Sequence, residues 1–255
     1  MSCVGTRQNG GVPAESPTIV ATSIGFRKLS RGQLDWHAGP IFGLATRLAR
    51  PSGVPRVCFL ATAVGDASDY IRGAYSALSE LDVRVSHLNL FPMPNLEDIR
   101  GHLLSQDVIW VGGGSVVNLL AVWRAHALDR ILYECWQAGV VLGGVSAGSL
   151  CWHVGGTTDS FGPELQPVTN ALAWLPYANG VHYDSEAQRR PLLHNLLKDG
   201  RLPSAYSTDD GVGLIYRGTE MTEAVTEIDG KAAYYAERGS DGDVRETRIE
   251  PRRLI

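Results

Sequence analysis

Apolar residues fall in two rhythms along this chain. Near-continuous apolar runs occupy residues 18–22, 56–62, 83–90, 107–111 and 140–143. Between them, apolar positions recur at helical spacing. Ile71, Ala74, Tyr75 and Leu78 stand at i, i+3, i+4 and i+7; Leu128, Ile131, Leu132 and Cys135 repeat the pattern, with Trp136 at i+8. Uninterrupted apolar strands are those covered by helices on both faces. The alternation therefore predicts an α/β fold: a doubly wound, mostly parallel sheet with helices on both faces. Beyond residue 205 the runs at 212–216, 224–228 and 232–235 read as a short antiparallel C-terminal extension. Residues 1–16, with Gly10-Gly11, Pro13 and mostly polar neighbours, are expected to form a disordered tail, leaving 17–255 as a single domain.

Composition narrows the function classes. Of 255 residues 44% are hydrophobic, enough for one large core and too many for a disordered chain. A formal charge of −4, without a basic cluster, gives no footprint for nucleic acid. No apolar run approaches the roughly 20 residues of a membrane helix. The first seven residues lack the apolar centre of a signal peptide, so a cytoplasmic protein is expected. Cys3, Cys58, Cys135 and Cys151 show no metal spacing and read as free thiols. Neither a metal nor an organic cofactor is implied, and a homodimer is left open as an assembly.

The fifth strand runs into Gly143-Gly144-Val145-Ser146-Ala147-Gly148-Ser149. The pattern G-x-S-x-G is weak alone, and a glycine-rich packing turn is its bland reading. Placed between a strand and a helix expected over 147–152, however, it has the context of a nucleophile elbow. The fourth strand ends in Gly112-Gly113-Gly114, which lets main-chain amides approach a ligand; a phosphate cradle there would lack its lysine. A serine nucleophile needs a base. Six histidines (37, 87, 102, 126, 153 and 194) lie in or beside helix or strand patterns. His182, after a loop-rich stretch and before the charged residues 186–190, is the candidate. The acids between Ser146 and His182 are Asp159 and Glu164, in the order Ser…Asp…His found in α/β-hydrolases.

Five landmarks in order carry a family resemblance: the glycine loop with Asn118-Leu119, Ser146-Ala147-Gly148 with its following residues, Thr158-Asp159-Ser160-Phe161-Gly162, His182-Tyr183-Asp184 and Thr208-Asp209-Asp210-Gly211. Over about residues 18–216 the chain resembles peptidase E, a family of serine exopeptidases that includes cyanophycinases and is similar in fold to class I glutamine amidotransferases. The resemblance implies Ser146 as nucleophile and His182 as base, with Asp159 as acid and Glu164 in reserve. It places the oxyanion donors on the amides of Gly114 and Ala147. Peptidase E proteins release N-terminal Asp from short peptides, using an arginine after the histidine. Arg189 and Arg190 are the positions for that role, beside Ser115 and Asn118 after the glycines. Ser115 stands where the family's best-known members carry asparagine, and the His182-to-arginine segment is shorter than in typical aspartyl dipeptidases.

The expected reaction is hydrolysis of a small peptide, an Asp-X dipeptide, through the Ser-His-Asp/Glu triad and an acyl-enzyme. Hydrolysis of β-Asp-Arg peptides by a cyanophycinase-like enzyme is one alternative, and an α/β-hydrolase esterase is another. A non-catalytic binding protein on the same scaffold is the third. Trp123, Trp152 and Trp174 are expected in the core.

Overall fold

The computed structural model describes residues 14–28 and 36–255. The first half of the chain runs β1 (Thr18–Thr22), β2 (Phe26–Lys28), β3 (Trp36–Ala38), α1 (Pro40–Leu48), β4 (Arg56–Leu60), α2 (Ser68–Leu78), β5 (Arg84–Leu88), α3 (Ile99–Leu104), β6 (Val108–Val111), α4 (Val116–Ala125) and α5 (Leu128–Gln137). The second half runs β7 (Val141–Val145), α6 (Ala147–Leu150), β8 (Gly155–Thr158), β9 (Gln166–Val168), β10 (Ala178–Gly180), α7 (Arg189–Lys198), β11 (Ala205–Thr208), β12 (Val212–Arg217), β13 (Glu220–Thr226), β14 (Ala233–Arg238), β15 (Val244–Ile249) and β16 (Arg252–Arg253).

The main sheet has the order β16-β13-β12-β1-β7-β6-β4-β5. Its centre, β1-β7-β6-β4-β5, is parallel throughout. Alternate residues of these strands serve opposite faces, as the strand period of two requires. Val20, Val57, Phe59, Val108 and Trp110 pack with Ile41, Phe42, Ile71 and Leu78 of α1 and α2. Ile19, Cys58, Leu60, Ile109 and Leu142 pack on the other face with Leu103, Leu120, Leu132 and Leu150 of α3 to α6. Both faces are thus buried, which is why the strands read as unbroken apolar runs. Trp123 and Trp152 are fully buried, and half-buried Trp174 joins their cluster, stacked on Trp136 at 5.8 Å. No described helix is long and apolar enough to cross a membrane.

The expected fold class is present, with one addition. The C-terminal strands pair antiparallel as expected, and they are shared between two sheets. β12 and β13 widen the main sheet through antiparallel pairing on β1. β14 and β15 instead complete a second sheet, ordered β15-β14-β11-β10-β8-β9. α7 packs on it through Leu193, Leu196 and Leu197. Of the tail expected over 1–16, residues 1–13 lie outside the described residues. Ala14 is buried and its N–H donates to the Gly139 carbonyl at 3.4 Å, while Glu15 pairs with Arg50. Residues 14–16 are therefore part of the folded body.

Candidate active site

The two sheets contribute different halves of the site. From the main sheet, β7 delivers Ser146 and β6 delivers Gly112-Gly113-Gly114, side by side because Val111 pairs with Gly144. Such loops at the carboxyl ends of parallel strands are where α/β sheets place ligands. Ser146 has φ 57° and ψ −111°, a conformation L-residues avoid, and its surroundings impose it. Its N–H donates to the Thr22 carbonyl at 3.0 Å, and its own carbonyl accepts from Ser149 and Leu150, both at 2.9 Å. The flanking glycines are needed for contact rather than flexibility. A Cβ on Gly144 would lie 2.3 Å from the Gly148 carbonyl oxygen, and one on Gly148 would lie 2.3 Å from that of Val111. The elbow is wedged against β6.

Gly114 has φ 134°, and a Cβ there would meet the Ala63 carbonyl oxygen at 2.4 Å. Among the described residues, the N–H groups of Gly114 and Ala147 have no protein acceptor. Two unspent amides flanking an elbow serine can stabilise an oxyanion. The Gly113 amide is spoken for: it donates to the Tyr70 hydroxyl at 3.0 Å. Burial raises the Tyr70 phenol above its ordinary value, so that hydroxyl keeps its proton.

From the second sheet, β10 delivers His182 and β11 delivers Asp210, which approach at 2.6 Å between Nδ1 and Oδ1. His182 has φ 53°, and its N–H donates to the Ser23 hydroxyl at 3.0 Å. That hydroxyl donates in turn to the Thr208 carbonyl at 2.9 Å. Thr22 and Ser23, at the end of β1, therefore hold the backbones of both Ser146 and His182. Burial raises the Asp210 carboxyl, but hydrogen bonds from His182 and Ser185 and the charge of Lys231 outweigh it, leaving the group below its ordinary value. Asp184 accepts the Asp210 N–H at 2.8 Å and pairs with Lys231, bracing the acid from behind. Ser23, Gly113, Val145, His182 and Asp210 share one cavity of about 310 Å³. No hydrogen bond joins Ser146 Oγ to His182 among the described residues; such bonds are often long without substrate and tighten when it binds.

Several expected site residues lie elsewhere. The carboxylate on His182 is Asp210, and not Asp159 or Glu164 as expected. Both of those acids are exposed beyond β8, on the loop leading to β9. Thr208-Asp209-Asp210-Gly211 carries the signal in the sequence, and this chain places the carboxylate after the histidine rather than before it. Ser115 caps α4, accepting the Asn118 N–H at 3.2 Å, while the Asn118 side chain faces outward. Arg189 is buried against Glu186 at 2.8 Å and the Thr157 carbonyl. Arg190 lies between the rings of Tyr183 and Tyr234, 4.6 and 4.7 Å from their centroids, and 3.5 Å from Glu246. Neither arginine lines the cavity. His37, His87, His102, His153 and His194 are engaged apart from it; His153 is fully buried between the Ser149 carbonyl and the Tyr216 hydroxyl.

The sequence model of peptidase family S51 matches residues 43–224. The uncharacterized peptidase YgaJ of Bacillus subtilis (strain 168) is 42% identical over 180 residues, which cover 71% of this chain and 77% of that protein. A peptidase E from Shewanella denitrificans is 28% identical over 117 residues, 46% of this chain and 48% of its own. In fold, the chain is similar to the crystal structure of a peptidase from an acI-B1 Actinobacterium, with a TM-score of 0.67 at 15% identity over 92% of this chain and 95% of the other.

Proposed function

Because the chain belongs to peptidase family S51 and is a serine-type peptidase, we propose that Ser146, His182 and Asp210 form its catalytic triad, with the amides of Gly114 and Ala147 as the oxyanion hole. The observation that carries this reading is the His182–Asp210 pair, which shares a cavity with Val145, the residue before the elbow serine, and with Gly113 of the glycine loop.

His182 Nε2 takes the proton of the Ser146 hydroxyl as Oγ attacks the peptide carbonyl. The carbonyl electrons move onto oxygen, held by the two amides. When they return, the C–N bond breaks and His182 gives its proton to the leaving amine. Water, deprotonated by the same imidazole, then attacks the acyl ester and frees the acid and Ser146. Asp210 accepts from Nδ1–H throughout, which keeps Nε2 basic and steadies the imidazolium. General base catalysis contributes about 10²–10⁴-fold and one oxyanion donor about 10²–10³-fold.

A short peptide suits a cavity at the lower end of the roughly 300–1,000 Å³ of small-ligand sites. The Asp-X and β-Asp-Arg preferences that the resemblance implies would call for a cation at the scissile bond. Arg189 and Arg190 are committed elsewhere, so we do not extend the proposal to acidic dipeptides. The test is labelling by a fluorophosphonate, with Ser146→Ala as control. We expect label on Ser146 and loss of peptide turnover in the variant. Turnover retained by Ser146→Ala would end the assignment.

A further inference from the structure

The cavity beside His182 has a wall that no step of the mechanism uses. Ile24, Phe26, Trp36 and Tyr70 form it, with Val145 alongside. The rings are braced before any ligand arrives. Trp36 meets Tyr70 edge-on at 4.8 Å and 88°, Phe26 lies 5.4 Å from Trp36, and Phe26 stacks on Phe42 at 4.7 Å. Trp36 is also seated on α2 at Gly73, where a Cβ would come within 2.5 Å of its ring. A preassembled apolar wall binds without the cost of ordering itself.

Charge on the wall points the same way. Among the described residues, no lysine or arginine lines the cavity. Arg27, beside Phe26 in the chain, is neutralised by Glu227, whose carboxylate is 2.8 Å away and buried. Among the described lining residues the one carboxylate is Asp210, so an acidic side chain would meet a like charge with no lysine or arginine on the wall beside it. A basic side chain would compete with His182 for Asp210 and weaken the base it must use.

We propose that this cavity is the subsite for an apolar side chain, aliphatic or aromatic, on a residue next to the scissile bond. The protein is then a peptidase of apolar rather than acidic short peptides. This rests on the triad reading, and the experiment separates the two.

Two dipeptide series, Xaa-Ala and Ala-Xaa with Xaa as Leu, Phe, Asp or Lys, are compared by kcat/KM on the full chain. In one series Leu or Phe should exceed Asp and Lys by about 10-fold or more, the range a hydrophobic pocket provides. Ile24→Arg, which places a cation in the cavity, should move that series toward Asp. Asp or Lys matching Leu and Phe in both series would overturn the proposal, as would an unchanged ratio in folded Ile24→Arg. Calorimetric titration of Ser146→Ala with the same dipeptides ranks occupancy without turnover. Tighter binding of Leu or Phe peptides there supports the subsite whichever group attacks, and equal or tighter binding of Asp or Lys peptides overturns it. Cleavage that survives Ser146→Ala counts against the triad alone.

Discussion

Asp210 holds Nδ1 of His182 at 2.6 Å, from a strand that follows the histidine in the chain. An amide there would remove the negative charge facing the imidazolium and could donate to Nδ1, favouring the unproductive tautomer. Asp210→Asn should lower kcat by about 10³–10⁴. The exposed acids give the contrast. Asp159→Asn and Glu164→Gln should stay within about two-fold of the parent, as surface substitutions do. Steady-state kinetics on one peptide decides it, and a larger loss in Asp159→Asn would return the acid to β8.

Ser23 is expected to act through His182, whose N–H its hydroxyl accepts. Its hydroxyl accepts the His182 N–H and donates to Thr208, so Ser23→Ala leaves a buried amide without its acceptor. The cost should be about 1–3 kcal/mol in denaturant unfolding. Kinetically, kcat should fall while KM changes little, because the group displaced is the base. A rise in KM alone would make Ser23 a substrate contact instead.

Acid should weaken the fold in two stages. Burial lowers His153 to about 4, so between its ordinary 6.5 and that value the unfolded chain takes a proton the native one refuses. Stability therefore rises with pH across that window, by up to about 1.4 kcal/mol per unit. Asp184 and Asp210 titrate below their ordinary 3.8 in the native state, so what they contribute is present above 3.8 and lost as pH falls below it. Urea midpoints at pH 7 and pH 5 should differ, and His153→Gln should flatten the difference. An unchanged slope in that variant would remove His153 from the account.

Gly148→Ala would drive a methyl to 2.3 Å from the Val111 carbonyl oxygen. Neither backbone can retreat, since one belongs to a central strand and the other to the elbow. A loss at or beyond the upper end of about 1–3 kcal/mol is expected. Exposed Gly53, with open space around its Cβ position, is the control, and Gly53→Ala should leave the melting temperature unchanged. Equal melting temperatures would mean the elbow is looser than its contacts indicate.

The main sheet was legible because Val57-Cys58-Phe59-Leu60 and Val108-Ile109-Trp110-Val111 are buried on both sides, and double burial leaves an unmistakable apolar run. The second sheet was not. β8 is Gly-Gly-Thr-Thr and β10 is Ala-Asn-Gly, short and partly polar, yet fully buried. Asn179 is tolerated there because it accepts the Ser149 hydroxyl at 2.9 Å and donates to the Tyr206 carbonyl. Such strands carry neither an apolar run nor an alternation to detect. The same difference runs through the site. Ser146 announces itself by local spacing, whereas Asp210 reaches His182 only because β10 and β11 pair, and no local pattern encodes that pairing. Trp36 was missed for a similar reason, since its place on the cavity wall depends on docking against Gly73.

The division of the site between sheets gives the enzyme two dials. The proposed nucleophile and oxyanion donors ride on one layer, the proposed base and its carboxylate on the other, and Ser23 is the rivet between them. A change confined to β10, β11 or their supports can retune the pH at which the imidazole works while the grip on the acyl oxygen stays as it was. A change at β6 or β7 does the reverse. Sliding of one layer past the other would switch off turnover with each half still intact, so catalytic competence in this chain is a readout of how the layers are seated.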